Sequence, residues 1–340
     1  MKRFFAWGNR LHSGESSVPY VPKAKLWLTI AAVLVVLSAL VPLVRGFNLG
    51  IAFTGGSEFQ VSNVVDTDET IATEAVTAVV PDTSTEVVPT SSTSVKIETA
   101  QLTDDQMQQV RESLVESYAV EAADVTSTFI GPTWGQDVTE KMMRALVIFV
   151  ALAMIIMALY FRTWKMSLAA IVGLLFVMVV TVGLYSTFGF EITPEAMIGF
   201  LTVLSFALYD TVVVFDKIRE TTTGYDNRQN MRFAELVNLG VNQSTVRSIN
   251  TSVISVLPIA AILFIGVGIL GAGTLTDIAL SLFIGTIVAA AATLFVASPL
   301  YAVLRSTEER IKDHEKKVTE YREEHGLEDT PPKLFEGSVA

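Results

Sequence analysis

Phe200-Leu201-Thr202-Val203-Leu204-Ser205-Phe206-Ala207-Leu208-Tyr209-Asp210-Thr211-Val212-Val213-Val214-Phe215-Asp216 reads as a membrane span with a carboxylate inside it. A helical crossing takes about 20 predominantly apolar residues. A carboxylate at the depth of Asp210 costs at least ~2.5 kcal/mol on insertion scales. Residues kept at that cost serve an ion path, a proton relay or a buried counter-ion.

Outward from this stretch, hydropathy predicts six spans: 26–44, 142–161, 166–188, 196–216, 251–270 and 278–304. The last two are separated by the turn Gly271-Ala272-Gly273-Thr274. Composition agrees: 51% of the residues are hydrophobic and 17% charged, against about 25% charged in soluble domains. The first span exceeds the h-region of a signal peptide, and no small-x-small site follows it, so it reads as an anchor.

Lys and Arg set the orientation. Lys2, Arg3, Arg10, Lys23 and Lys25 precede the first span, and Arg162 and Lys165 follow the second. Lys217, Arg219, Arg228, Arg232 and Arg247 follow the fourth, and seven more follow the sixth. The third-to-fourth and fifth-to-sixth loops carry none. Both termini are therefore expected in the cytoplasm, and residues 45–140 outside. The order is a cytoplasmic tail (1–25), the first span (26–44), an external domain (45–140), and a five-helix bundle (142–304) with a cytoplasmic connection at 217–250. A charged tail (305–340) closes it.

The segment 45–140 carries sixteen acidic and three basic residues, which argues against nucleic-acid binding. It alternates like a small α+β domain, with strands at 57–62, 85–88, 94–99 and 125–130. Helices are expected at 68–80, with Asp66 and Glu69 spaced as a capping pair, and at 103–118, opened by Thr103 and Gln106. The order β-α-β-β-α-β is the ferredoxin-like pattern; the alternative is an irregular acidic loop. In the connection, Phe233, Leu236, Val237 and Val241 recur at helical spacing, which predicts a helix lying on the bilayer surface. The tail from Arg305 to about His325 is expected to be a solvated mixed-charge helix.

The chain has no Cys, no Walker-type loop, no His-Glu-x-x-His and no serine nucleophile elbow. His12, His314 and His325 all lie in the tails. No catalytic residue, cofactor or metal site is predicted, and energy for any work must come from a source other than ATP bound here. A transmembrane ion gradient is the natural one.

Asp210 and Asp216 are six residues apart, so they point about 120° from each other and Asp210 lies ~9 Å deeper. Asp216 sits beside Lys217, Arg219 and Glu220 and is expected to form a boundary ion pair. Asp210 has no cation within a turn of its own helix and needs protonation, water or a partner from elsewhere. Arg247 opens the polar run Arg247-Ser248-Ile249-Asn250-Thr251-Ser252 at the start of the fifth span and is the expected partner. Desolvation favours a neutral carboxyl and a nearby cation favours a charged one, so such a pair is poised to titrate. The other reading is a permanent salt bridge holding two helices. Gly183, Gly189, Gly199, Gly266 and Gly268 would let spans approach closely, and Pro194 and Pro258 would loosen helices.

The run Leu208-Tyr209-Asp210-Thr211-Val212-Val213-Val214-Phe215-Asp216-Lys217-Ile218-Arg219-Glu220 resembles the fourth-span signature of the SecF family of protein-export membrane subunits. Gly50-Ile51-Ala52-Phe53-Thr54-Gly55-Gly56 resembles that family's Gly-Ile-Asp-Phe-Thr-Gly-Gly motif. Gly131-Pro132-Thr133-Trp134-Gly135 resembles its Gly-Pro-x-x-Gly motif, and the run 247–252 its polar start to the fifth span. The likeness covers roughly residues 47–304. It implies a six-helix membrane protein with an external ferredoxin-like α+β domain, in the resistance–nodulation–division group of proton-driven transporters. It further implies assembly with SecD and with the SecYEG translocon in the cytoplasmic membrane. YajC or YidC-like subunits would be further neighbours, an unfolded polypeptide in transit the cargo and protons the drive. Asp210 and Arg247 match the proton-coupling positions. Tyr209, Thr211, Asp216, Arg219, Asn250, Thr251 and Ser252 support them. Gly50, Phe53, Thr54, Gly55, Gly56, Gly131, Pro132 and Gly135 carry the structural motifs. Ala52 stands where the family has Asp, so any role of that acid is missing here or supplied elsewhere. Two competing readings are a small-molecule or lipid exporter of the same superfamily and an assembly factor that moves no protons.

Overall fold

The computed structural model describes residues 2–13, 15–161, 163–265 and 273–327. Arg162, Gly266, Gly268, Gly271 and Ala272 lie outside them. Among the described residues six helices are long and apolar enough to cross a membrane. In chain order the first three helices are α1 (Lys2–Ser13), α2 (Ala24–Arg45) and the short α3 (Ile51–Thr54). The α+β segment follows with β1 (Gly56–Ser62), α4 (Glu69–Val79), β2 (Thr85–Ser91), β3 (Ser94–Thr99), α5 (Asp104–Tyr118) and β4 (Val125–Ile130). The bundle continues with α6 (Pro132–Phe161), α7 (Trp164–Phe188), α8 (Pro194–Thr222) and α9 (Phe233–Ala261). The last span is α10 (Gly273–Ala292), a π-helical turn (Thr293–Ala297) and α11 (Ser298–Ser306), and α12 (Glu309–Glu324) ends the described chain.

The α+β segment is a four-stranded antiparallel sheet in the order β2-β3-β1-β4, which is the ferredoxin-like arrangement the element order predicts. Alternation puts Phe59, Val61, Val95 and Ile97 on one face, where they bury against Val76 of α4 and Val110, Leu114 and Tyr118 of α5. Thr103 and Gln106 form the expected capping box of α5. The cap of α4 is Asp68, which accepts from the Thr70 amide at 2.9 Å, rather than the Asp66 and Glu69 pair. Asp66 instead accepts from the Asp68 amide at 3.1 Å, ordering the approach to the cap. Leu114 is fully buried, so Leu114→Ala should cost about 3 kcal/mol through lost contact and a residual cavity. The loss is read as reduced amide-exchange protection of β1 and β3, and unchanged protection would show that the sheet does not depend on this contact.

Two elements differ from the sequence reading. The stretch holding Phe233, Leu236, Val237 and Val241 is the first half of one continuous helix, α9, which becomes the fifth span. Those four side chains are buried in protein, Phe233, Val237 and Val241 in one core with Phe215, Tyr301 and Ile311, and do not lie on a bilayer. Likewise α12 is docked, with Ile311, His314, Val318 and Arg322 buried. Both corrections have one cause. The two tails and the α8–α9 connection are close in space, so each offers the apolar face that the others need. Pro194 opens α8 behind its Thr193 cap, whose hydroxyl accepts from the Ala196 amide at 3.1 Å, and therefore starts that helix. Pro258 lies inside α9. Gly183 and Gly199 do mark close approaches, to Ser38 of α2 and Ser281 of α10.

Candidate functional site

Along α8 the buried residues Ala207, Asp210, Thr211, Val214, Phe215 and Ile218 form one stripe at helical spacing. Asp210 is thereby carried inward and is only 3% exposed. It faces α9, which comes close because Gly240 has no side chain: a Cβ there would lie 2.8 Å from the Cα of Ile218. Farther along that contact Ser248 is buried and its hydroxyl donates to Asp210 Oδ2 at 2.8 Å. On the third side stands Thr293, 1% exposed, beside the same carboxylate and with its hydroxyl 3.2 Å from that of Thr211.

Thr293 begins the π-helical turn of the last span. Such a turn leaves backbone carbonyls without their usual partners. Here Ser298 donates to the Thr293 carbonyl at 2.8 Å, and Thr293 donates to that of Ala289 at 3.2 Å. Three spans thus surround one carboxylate with hydroxyl groups and otherwise apolar packing. Hydroxyls can both donate and accept, so this shell can satisfy Asp210 with or without a proton. Among the described residues no cluster of His, Asp and Glu is arranged to hold a metal ion.

Arg247 makes no direct ion pair with Asp210, although its charge acts on the carboxylate from a longer distance. It is exposed, and no ion pair within 4.0 Å joins the two among the described residues. Adjacent residues on a helix point about 100° apart. With Ser248 turned toward Asp210, Arg247 is turned off the interface. Asp216 also makes no ion pair with Lys217 or Arg219 among the described residues: Lys217 pairs with Glu220 at 2.7 Å, while the Tyr160 hydroxyl reaches Asp216 Oδ1 at 3.5 Å. Tyr209 is 54% exposed, and Arg219 and Asn250 are exposed as well. Thr251 and Ser252 donate to carbonyls of their own helix, those of Arg247 and Ser248, both at 2.9 Å. Thr211 belongs to the site. Ser248 lies in the polar run recognised from sequence, but only its facing singles it out. Thr293 had a weak signal, a hydroxyl residue five positions before Ser298-Pro299 in an apolar span.

The two glycine motifs meet each other. Gly135 in the first turns of α6 lies against α3, and a Cβ there would stand 2.5 Å from the Phe53 carbonyl oxygen. The motif containing Gly50, Phe53, Thr54, Gly55 and Gly56 and the motif containing Gly131, Pro132 and Gly135 thus form one backbone-to-backbone contact where the sheet joins the bundle. Thr54 donates to the Gly50 carbonyl at 3.4 Å within it.

Residues 110–307 match the family described as protein export membrane protein SecD/SecF, C-terminal. The protein translocase subunit SecF of Streptomyces coelicolor is 39% identical over 325 residues, covering 94% of this chain and 85% of that one. The corresponding subunit of Mycobacterium leprae is 36% identical over 344 residues, covering 95% and 72%. The crystal structure of SecDF from Thermus thermophilus, titled a translocon-associated membrane protein, superposes with a TM-score of 0.74 at 24% identity. The match covers 86% of this chain and 39% of that longer one, so this chain spans well under half of the SecDF length.

Proposed function

Because this chain belongs to the SecD/SecF family of protein-export membrane proteins, we propose that it is the SecF-type half of a proton-driven complex, with Asp210 as its coupling carboxylate. It is a multi-pass membrane protein that assists protein translocation. The observation that carries the proton reading is a buried carboxylate without a buried cation, satisfied by Ser248 and flanked by Thr211 and Thr293. A permanent structural salt bridge would need the cation in direct contact, and Arg247 is exposed with no ion pair to Asp210 within 4.0 Å among the described residues.

Arg247, Asn250 and Tyr209 are exposed on helices otherwise suited to lipid. An arginine facing hydrocarbon costs about 2.5–3.5 kcal/mol on insertion scales. That cost disappears if a second membrane subunit covers this face. A SecD-type subunit fits, and it would complete the relay between Arg247 and the outer aqueous phase. The positive-inside pattern supports both termini in the cytoplasm and the sheet outside. SecYEG and an unfolded polypeptide are then the translocon and the cargo. The short external domain and the Asp210 motif favour this over a small-molecule exporter.

The test uses vesicles carrying the translocon, this chain and its SecD partner. Export should be faster with an imposed proton gradient, and an ionophore should remove that gain. Export that is equally fast with the gradient collapsed would sink the proton-driven reading and leave an assembly role.

A further inference from the structure

Outside the Asp210 site, the chain has a second cluster of charge where the sheet meets the bundle. Lys96 of β3 forms ion pairs with Glu98 of its own strand, at 2.9 Å, and with Glu191 of the α7–α8 loop. All three side chains are mostly buried. Lys96 is the cation there, facing Glu58 of β1, Glu98, Glu191, Glu195 in the first turn of α8, and Asp277 near the start of α10. Asp277 is in turn held by the Thr193 hydroxyl at 3.0 Å.

Gly50 explains how Glu191 reaches Lys96. The Glu191 carboxylate occupies the space that a Cβ at Gly50 would fill. The backbone beside it is tied in both directions: the Gly50 amide donates to the Ile192 carbonyl at 3.1 Å, and the Ile192 amide to the Asn48 carbonyl at 2.7 Å. Asn48 also donates to Glu86 of β2 at 2.9 Å and to the Gly189 carbonyl at 3.2 Å.

We infer that the Lys96–Glu191 pair, seated on Gly50, is the joint that holds the external sheet on the outer ends of α8 and α10, and that these two residues position the sheet for its work in export. The glycine motif is thus a seat for a carboxylate. The joint also ties the sheet to the loop that leads into α8, the helix that carries Asp210 within its span, so any movement of α8 would be passed to β3 through Glu191. That last consequence rests on the coupling role given to Asp210 above; the joint itself does not.

The cluster is pH-sensitive, and the sign follows from its surroundings. Burial, then the neighbouring Glu191, push Glu98 up from its ordinary 4.5 to about 7, against the pull of Lys96. Burial likewise raises Glu58. A carboxyl raised in the folded state is best tolerated when neutral. Its favourable contribution is complete below pH 4.5 and is lost as pH rises through about 7. Acid outside therefore tightens the joint by leaving Lys96 to Glu191.

The test is amide-exchange protection at Gly50 and Ile192, normalised for intrinsic rates, in the complete complex with the SecD partner. Glu191→Gln should lower protection about tenfold, as befits a largely buried pair. Lys96→Met should lower it further, because Glu98 and Glu191 then face each other without a cation. Adding Glu191→Gln to Lys96→Met should restore part of the loss, a sign that lost packing alone does not produce. In the wild type, protection should be greater at pH 5 than at pH 8. Protection at Ile97 in the sheet core reports that the domain remains folded. Unchanged protection in both single variants, or a double variant worse than Lys96→Met, overturns the joint. Asp210→Asn should leave this protection unchanged; if it also leaves export unchanged, the coupling reading falls and the joint stands.

Discussion

Asp210→Asn should abolish the gradient-dependent part of protein export while leaving the complex at its normal abundance. The amide matches the carboxylate in shape and keeps an oxygen that can accept from Ser248, which donates to Asp210 Oδ2 at 2.8 Å. What it loses is the ability to take and release a proton. A coupling site that cannot change protonation state cannot carry protons, so no gradient-dependent export should remain. Stability should not suffer, because a neutral amide is cheaper than a carboxylate at 3% exposure in an apolar bundle. The measurement is export into vesicles with and without an ionophore, at matched amounts of complex. Export that still responds to the gradient would show that Asp210 does not couple it.

The second large effect is expected at the end of the bundle away from the sheet, where α12 meets the α8–α9 connection. Arg322 of α12 donates to Glu235 of α9 at 2.7 and 3.1 Å and to the Asn230 carbonyl at 2.8 and 3.3 Å. The pair is nearly closed off from water, with side-chain exposures of 4% and 13%. Arg322→Ala leaves the Glu235 carboxylate and the Asn230 carbonyl in place with fewer donors, and removing one partner of a buried pair costs about 3–5 kcal/mol. Helix α12 should undock, and trypsin should cut at Arg310, Lys312, Lys316 and Lys317 roughly 10²- to 10⁴-fold faster, since each 1.36 kcal/mol is a factor of ten. Lysine should not rescue, because its single ammonium cannot make the bidentate contact. A tail cleaved no faster than in the wild type would show that Arg322 does not hold it. His314, with a ring nitrogen 3.1 Å from the Met231 carbonyl, and Lys165, paired with Glu308 at 3.2 Å, add to the same docking.

Much of the architecture is written locally. The six spans follow from runs of apolar residues, and the sheet follows from alternation and caps. Thr103 and Gln106 are three residues apart, and their capping box depends on nothing beyond that spacing. The depth of Asp210 is legible in the same way, since rise per residue converts position into depth. The docking of α12 and of the first half of α9 was not legible. The charged sequence of α12 suits a solvated helix equally well, the apolar stripe of α9 suits a bilayer surface, and only their neighbours in the fold supply the covering face.

Sequence by itself therefore determined the number of spans, the order of strands and helices, and the presence of a carboxylate where hydrocarbon should be. These rest on periodicity and hydropathy, which each segment carries alone. Tertiary structure decided what that carboxylate touches. Ser248 and not Arg247 meets Asp210 because the phase of α9 at its close crossing with α8 turns one neighbour inward and the other out. Thr293 joins them through a π-helical turn in a span 82 residues from Thr211. Lys96 finds Glu191 only because Gly50 leaves room for it. Each of these depends on how two distant helices or strands are set against each other, and no single segment contains that information.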